Sequence, residues 1–156
     1  MEADWGATME RRVDPDIINR NVIALPPAST VGDAVRLMAE RHVGAVMIIE
    51  ADKLIGIFTE RDVVTRVVAR KHSPDTMTLA EVMTTSPHTV GPDDTALDAL
   101  SRMSQHGFRH LPVVKDGKVI GMISVRDLYA AVTRQLEEDI QAQESMILGT
   151  GYGTGA

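Results

Sequence analysis

The sequence predicts a mixed α/β (α+β) fold: two β-α-β-β-α units, related by a pseudo-twofold axis and packed through their sheets. Three observations carry that prediction. The stretch Gly56-Ile57-Phe58-Thr59-Glu60-Arg61-Asp62 returns as Gly121-Met122-Ile123-Ser124-Val125-Arg126-Asp127 with a constant offset. Between Thr30–Val64 and Thr95–Tyr129, nine of thirty-five aligned positions are identical, and eight others exchange one aliphatic side chain for another, so both copies share one fold. Finally, one copy is too small to complete a core, so its open sheet face calls for the other copy.

Each element follows from local chemistry. Thr30 and Thr95 have the hydroxyl of a helix N-cap and precede amphipathic segments. Ala34, Val35 and Met38, and Leu97, Leu100 and Met103, recur at helical spacing, so helices are predicted to about His42 and Gly107. Ala45–Ile49 and Leu111–Val114 are short, β-branched and apolar, as buried strands are. Polar breaks at Glu50–Lys53 and Lys115–Lys118 join them to second strands, Leu54–Phe58 and Val119–Ile123, in hairpins. Thr59 and Ser124 then open a further helix with Asp62 and Asp127 in its first turn, where a carboxylate suits the positive helix end. Val22–Leu25 and His88–Val90 add a small strand before Pro27 or Pro92 turns the chain. The expected division is an N-terminal extension at 1–16, units at 17–72 and 78–136, a linker at 73–77, and a helical extension with a glycine-rich flexible tail at 137–156.

Composition narrows the function classes. Apolar residues make up 44% of the chain and aromatics 3%, which suits an aliphatic interior and leaves little for base-stacking platforms. The net charge is −6 and basic residues are interspersed with acids, so a nucleic-acid partner, which needs a clustered positive face, is not expected. The absence of cysteine excludes disulfides and thiolate chemistry. No apolar signal-peptide core or bilayer-length run appears, so no membrane association and a cytoplasmic location are expected. His42, His72, His88, His106 and His110 show no metal-ligand spacing, and no nucleophile turn is present. The expectation is no catalytic residue, no metal, no required cofactor and no enzyme.

The element order, with Gly-hydrophobic-x-Thr/Ser-x-x-Asp closing the second hairpin strand, resembles the CBS domain, named after cystathionine β-synthase. Glu81–Val90 is similar to the approach to a second CBS unit, and Gly107–Val114 to its central strand. The likeness runs from about Ile18 to Gln135 and is to a stand-alone tandem pair, or Bateman module. It implies that adenosine-containing compounds (AMP, ADP, ATP, NAD or S-adenosylmethionine) bind as regulatory ligands in clefts between the units. It also implies a homodimer, for which the sequence offers the helix faces of Val63, Val64, Val67 and Val68 and of Leu128, Ala131 and Val132.

Within that likeness, Asp62 and Asp127 are the ribose-binding candidates, because a short carboxylate accepts from two vicinal hydroxyls. Thr59 and Ser124 offer a hydroxyl and free amides to a phosphate or ribose oxygen, and Arg61 and Arg126 offer a guanidinium to a phosphate. The same Thr/Ser and Asp pairs are also what a capping box requires, and either role accounts for them. The copies differ at the central strand: Arg109, His110, Leu111 and Pro112 stand where the first has Gly44, Ala45, Val46 and Met47. The resemblance makes Arg109 or His110 a phosphate contact, which favours the Asp127 cleft. Adenine is expected against Val22, Ile23, Val46, Thr89, Val90, Leu111 and Pro112, all of which also suit a plain core. The leading expectation is a regulatory, signal-transducing nucleotide sensor with an unidentified effector protein. The alternatives are a ligand-free dimerisation or protein-interaction scaffold, and a detached regulator of a nucleotide-synthesis enzyme such as inosine monophosphate dehydrogenase.

Overall fold

The computed structural model describes Val13 and residues 17–150. The first helix, α1 (Val31–Arg41), starts at Thr30, whose side chain accepts from the Asp33 amide, and ends at His42 in the left-handed conformation. Its counterpart α4 (Ala96–His106) starts at Thr95 and ends at Gly107, also left-handed. Leu97, expected on the buried face of α4, is exposed, and Ala96, Ala99 and Met103 are the buried positions.

Strands β2 (Ala45–Glu50) and β3 (Lys53–Thr59) form the first hairpin, and β5 (His110–Lys115) and β6 (Lys118–Ser124) the second. The turns use positive φ at Ala51 and Asp52 and at Asp116 and Gly117, the mirror-image geometry that matches strand twist. A register shift falls between Ile48 and Ile49 and again between Val113 and Val114. The strand β1 (Ile23–Leu25) pairs in parallel with β2, and Val90 makes the corresponding parallel bridge to Val113.

The helices after the hairpins diverge. In the first copy, α2 (Glu60–Asp62) passes into a π-helical stretch, Val63–Val68, in which Ala69 N donates to Val64 O and His72 N to Val67 O. In the second, α5 (Val125–Thr150) is one long α-helix. Gly149 and Thr150, read from the sequence as flexible tail, are its last residues; the rest of that tail and most of the N-terminal extension lie outside the described residues.

The lead-in to each unit crosses to the other. After the short helix α3 (Leu79–Val82), strand β4 (Thr84–Thr85) pairs antiparallel with β3, giving the order β1-β2-β3-β4. In the same register, Asn19 bridges Met122 of β6, so Val90, β5, β6 and Asn19 repeat that order. Leu79 and Val82 fill the core under β2 and β3, with Val31, Met38, Val46 and Phe58. Reciprocally, Val13 and Ile18 join Leu111, Val113, Ile123 and Leu128 in the second core. Ala45, Met47, Ile57 and Met122 pack between the sheets.

Candidate functional site

Two clefts flank the junction between the units. The larger, about 990 Å³, is bounded by Ser124, Val125, Arg126, Asp127 and Tyr129 at the start of α5, by Asn19, Asn21 and Val22, and by His42, Gly44 and Ala45. The smaller, about 450 Å³, is bounded by Thr59, Arg61 and Asp62, by Thr84 to His88, and by Gly107 and Phe108. Gly44, Glu60, Arg109 and His110 line both. The two candidate hooks therefore open on different clefts, and the second copy's basic pair stands between them.

Both hooks are built as capping boxes. Thr59 N and Oγ1 donate to Asp62 Oδ2 at 2.9 and 3.1 Å. Ser124 N and Oγ donate to Asp127 Oδ2 at 2.8 and 2.9 Å. The helix-starting role is thus filled in each copy, and it uses one carboxylate oxygen. The other oxygens differ. Asp62 Oδ1 lies 3.4 Å from Arg66 Nε, and Arg66 Nη1 donates to Val82 O at 2.8 Å. Ala131 occupies the corresponding place in α5, and Asp127 Oδ1 has no partner among the described residues.

The arginines differ in the same sense. Arg61 Nη1 donates across the junction to Gly107 O at 2.9 Å, closing the left-handed end of α4, whereas Arg126 makes no hydrogen bond among the described residues. His110 is largely buried, and that burial pushes its imidazole below the ordinary histidine value; Glu60 and Asp127 act oppositely, and Arg109 adds to the depression. Its ring covers Gly44: a Cβ there would stand 3.2 Å from His110 Nε2 and 3.4 Å from Glu60 Cδ. Beside the smaller cleft, His88 and His106 stack at 4.2 Å between ring centroids, each 5.5 Å from Phe108.

Of the expected adenine walls, only Val22 borders a cleft. Ile23 and Val46 point into the first core and Val90 and Leu111 into the second, on the sheet faces covered by helices. Side chains alternate along a strand, so choosing Val46 rather than Ala45 selects the wrong face of β2; Pro112 is buried on the opposite face of β5 from Leu111. Thr89 borders neither cleft, and its carbonyl accepts from Arg102 Nη1. Sequence reasoning missed Asn19, Asn21, His42, Glu60 and Tyr129 in the larger cleft. The available signal was the sixty-five-residue offset applied upstream, where Ile18-Asn19 matches Met83-Thr84 in position but not in identity.

Comparison with known proteins agrees with this architecture. The CBS domain model matches residues 13–69 and 79–134. The chain belongs to the CBS-domain family and is a tandem pair of its domains. It is 43% identical over 114 residues to the CBS domain-containing protein CBSCBSPB3 of Arabidopsis thaliana, covering 72% of this chain and 20% of that one. It is 35% identical over 128 residues to the mitochondrial CBSX3 of the same plant, covering 79% of this chain and 62% of that one. The chain thus spans about a fifth of the first relative's length. Among solved structures, a protein with CBS domains from Burkholderia ambifaria MC40-6 superposes with a TM-score of 0.70 at 36% identity, covering 72% of this chain and 83% of that one. A CBS domain pair in complex with 5-methylthioadenosine and S-adenosyl-L-methionine superposes with a TM-score of 0.69 at 22% identity, covering 77% and 94%, a likeness of fold. No helix among the described residues is long and apolar enough to cross a membrane.

Proposed function

We propose that this CBS pair is a regulatory module that binds an adenosine-containing compound, AMP, ADP, ATP, NAD or S-adenosylmethionine, in the larger cleft and passes its occupancy to an effector protein. The observation that carries the reading is Asp127: capped through Oδ2, with Oδ1 unpartnered among the described residues, on a cleft of about 990 Å³ that also holds Arg109, Arg126 and His110. A carboxylate with one oxygen to spare suits a ribose diol, and the three nitrogen-bearing side chains suit phosphate. Ser124 Oγ, which donates to Asp127 Oδ2 and accepts from Asp127 N, keeps one lone pair for a ligand hydroxyl, and Val22 and Ala45 provide apolar surface for a base. A ligand that contacts both units favours the arrangement that closes on it, and this is how binding would be transmitted.

The proposed assembly is a homodimer. The expected helix faces divide: Val67 and Leu128 are buried in the cores, Val63, Ala131 and Val132 are half-buried, and Val64 and Val68 are exposed and form the surface offered to a second copy. The scaffold reading draws on the capping boxes, which are complete without any ligand.

Calorimetric titration of the full chain with AMP, ATP, NAD and S-adenosylmethionine separates the two readings. Binding of at least one is expected, with Asp127→Ala weakening it by about 1–3 kcal/mol. No heat from any of them at roughly millimolar concentration leaves the scaffold, since a ligand at that level would also stabilise the fold.

A further inference from the structure

We infer that Arg66 sets the number of adenosyl ligands per chain at one, by occupying the oxygen of Asp62 that a ribose would need. The inference rests on the adenosyl-binding reading above and makes it specific to one cleft. A carboxylate can receive a diol only through lone pairs not already engaged. Asp62 spends both acceptor sites of Oδ2 on Thr59, and its Oδ1 faces the Arg66 guanidinium at 3.4 Å, which leaves too few acceptor sites for both hydroxyls of a diol. Its side chain is only 12% exposed, so little of it faces solvent or a ligand.

Arg66 is not a loose surface arginine. Its Nη1 is fixed on Val82 O at the end of α3, and α3 belongs to the segment that crosses into the first unit. A ribose on Asp62 would have to separate a partly buried ion pair and leave the guanidinium Nε unmatched, which costs more than a hydroxyl hydrogen bond returns. The neighbouring cation is committed as well, since Arg61 holds Gly107 O. In the second copy none of these restraints is present: Ala131 replaces Arg66, and Arg126 has no hydrogen bond among the described residues. The repeat that produced two hooks has thus kept one and closed the other.

Exchanging the feature between copies tests this. The full chain is titrated calorimetrically with each of AMP, ATP, NAD and S-adenosylmethionine, as wild type and as Ala131→Arg, Ala131→Gln and Arg66→Gln, with circular dichroism confirming each fold. Wild type is expected to bind one ligand per chain. Ala131→Arg should weaken binding by about tenfold or more, while Ala131→Gln, similar in length but uncharged, should stay within about threefold of wild type. Arg66→Gln should bring the count toward two; should that variant not fold, the Ala131 pair decides alone. Two ligands on the wild-type chain, or equal affinities for the two Ala131 variants, overturn the role of Arg66 and leave the adenosyl reading standing. No binding of any of the four compounds to wild type removes that reading, and the role of Arg66 with it.

Discussion

His110 stands where the clefts meet, and its environment makes the chain's stability depend on pH in a definite direction. Burial lowers its affinity for a proton in the folded state, with Glu60 and Asp127 opposing and Arg109 assisting. The unfolded chain therefore binds more protons between the depressed folded value and the ordinary value of about 6.5, and stability rises with pH across that window. The contribution is complete above about 6.5 and is lost as pH falls through the folded value. Thermal unfolding of wild type and His110→Gln between about pH 8 and 5 checks this. Wild type should lose more melting temperature on acidification; parallel curves would contradict it. The position of His110 as a cleft residue was readable from its contrast with Ala45. Which residues would form an apolar wall was not, because strands buried on both faces carry aliphatic side chains on both, and sequence alone does not say which face meets the partner sheet.

At the scale of elements, the repeated glycine of each hairpin makes room for the segment crossing from the other unit. A Cβ on Gly121 would meet Ile18 Cγ2 and stand 2.8 Å from Asn19 O; one on Gly56 would meet Met83 Sδ and stand 2.9 Å from its Cγ. Backbone and a β-branched side chain yield less readily than a methionine chain. Gly121→Ala is accordingly expected to destabilise by about 1–3 kcal/mol, and more than Gly56→Ala, in urea unfolding. Equal or negligible losses would show that the crossing segments are not held tightly. The helices and hairpins were legible because caps, turns and periodicity are local. The crossing was not, because β4 has two residues and Asn19 makes a single bridge, too little chain to leave a pattern. The greater length of α5 was legible as the helical extension at 137–156, whereas the π-helical stretch after α2 was not, because a shift from i→i+4 to i→i+5 bonding over a single short segment leaves no distinct sequence period.

For the whole molecule, the reciprocal exchange makes the pair one cooperative object. Each core contains residues from the lead-in of the other unit, Val13 and Ile18 in one and Leu79 and Val82 in the other, and a third apolar layer joins the sheets. Because the larger cleft is lined by Val22, Gly44 and Ala45 of the first unit and by His110, Met122 and Asp127 of the second, a ligand across it would touch both units at once. The repeat therefore has two products: a nearly symmetric scaffold, and a pair of hooks whose difference arises outside the shared motif, at Arg66 and Ala131. The most direct measurement is a crystal structure of the full chain grown with whichever of AMP, ATP, NAD and S-adenosylmethionine binds most tightly. Ribose hydroxyls within hydrogen-bond distance of Asp127 Oδ1, with the Asp62–Arg66 pair intact and its cleft free of ligand, is the predicted result. A ribose seated on Asp62, or a ligand bound away from Asp127, would contradict the account.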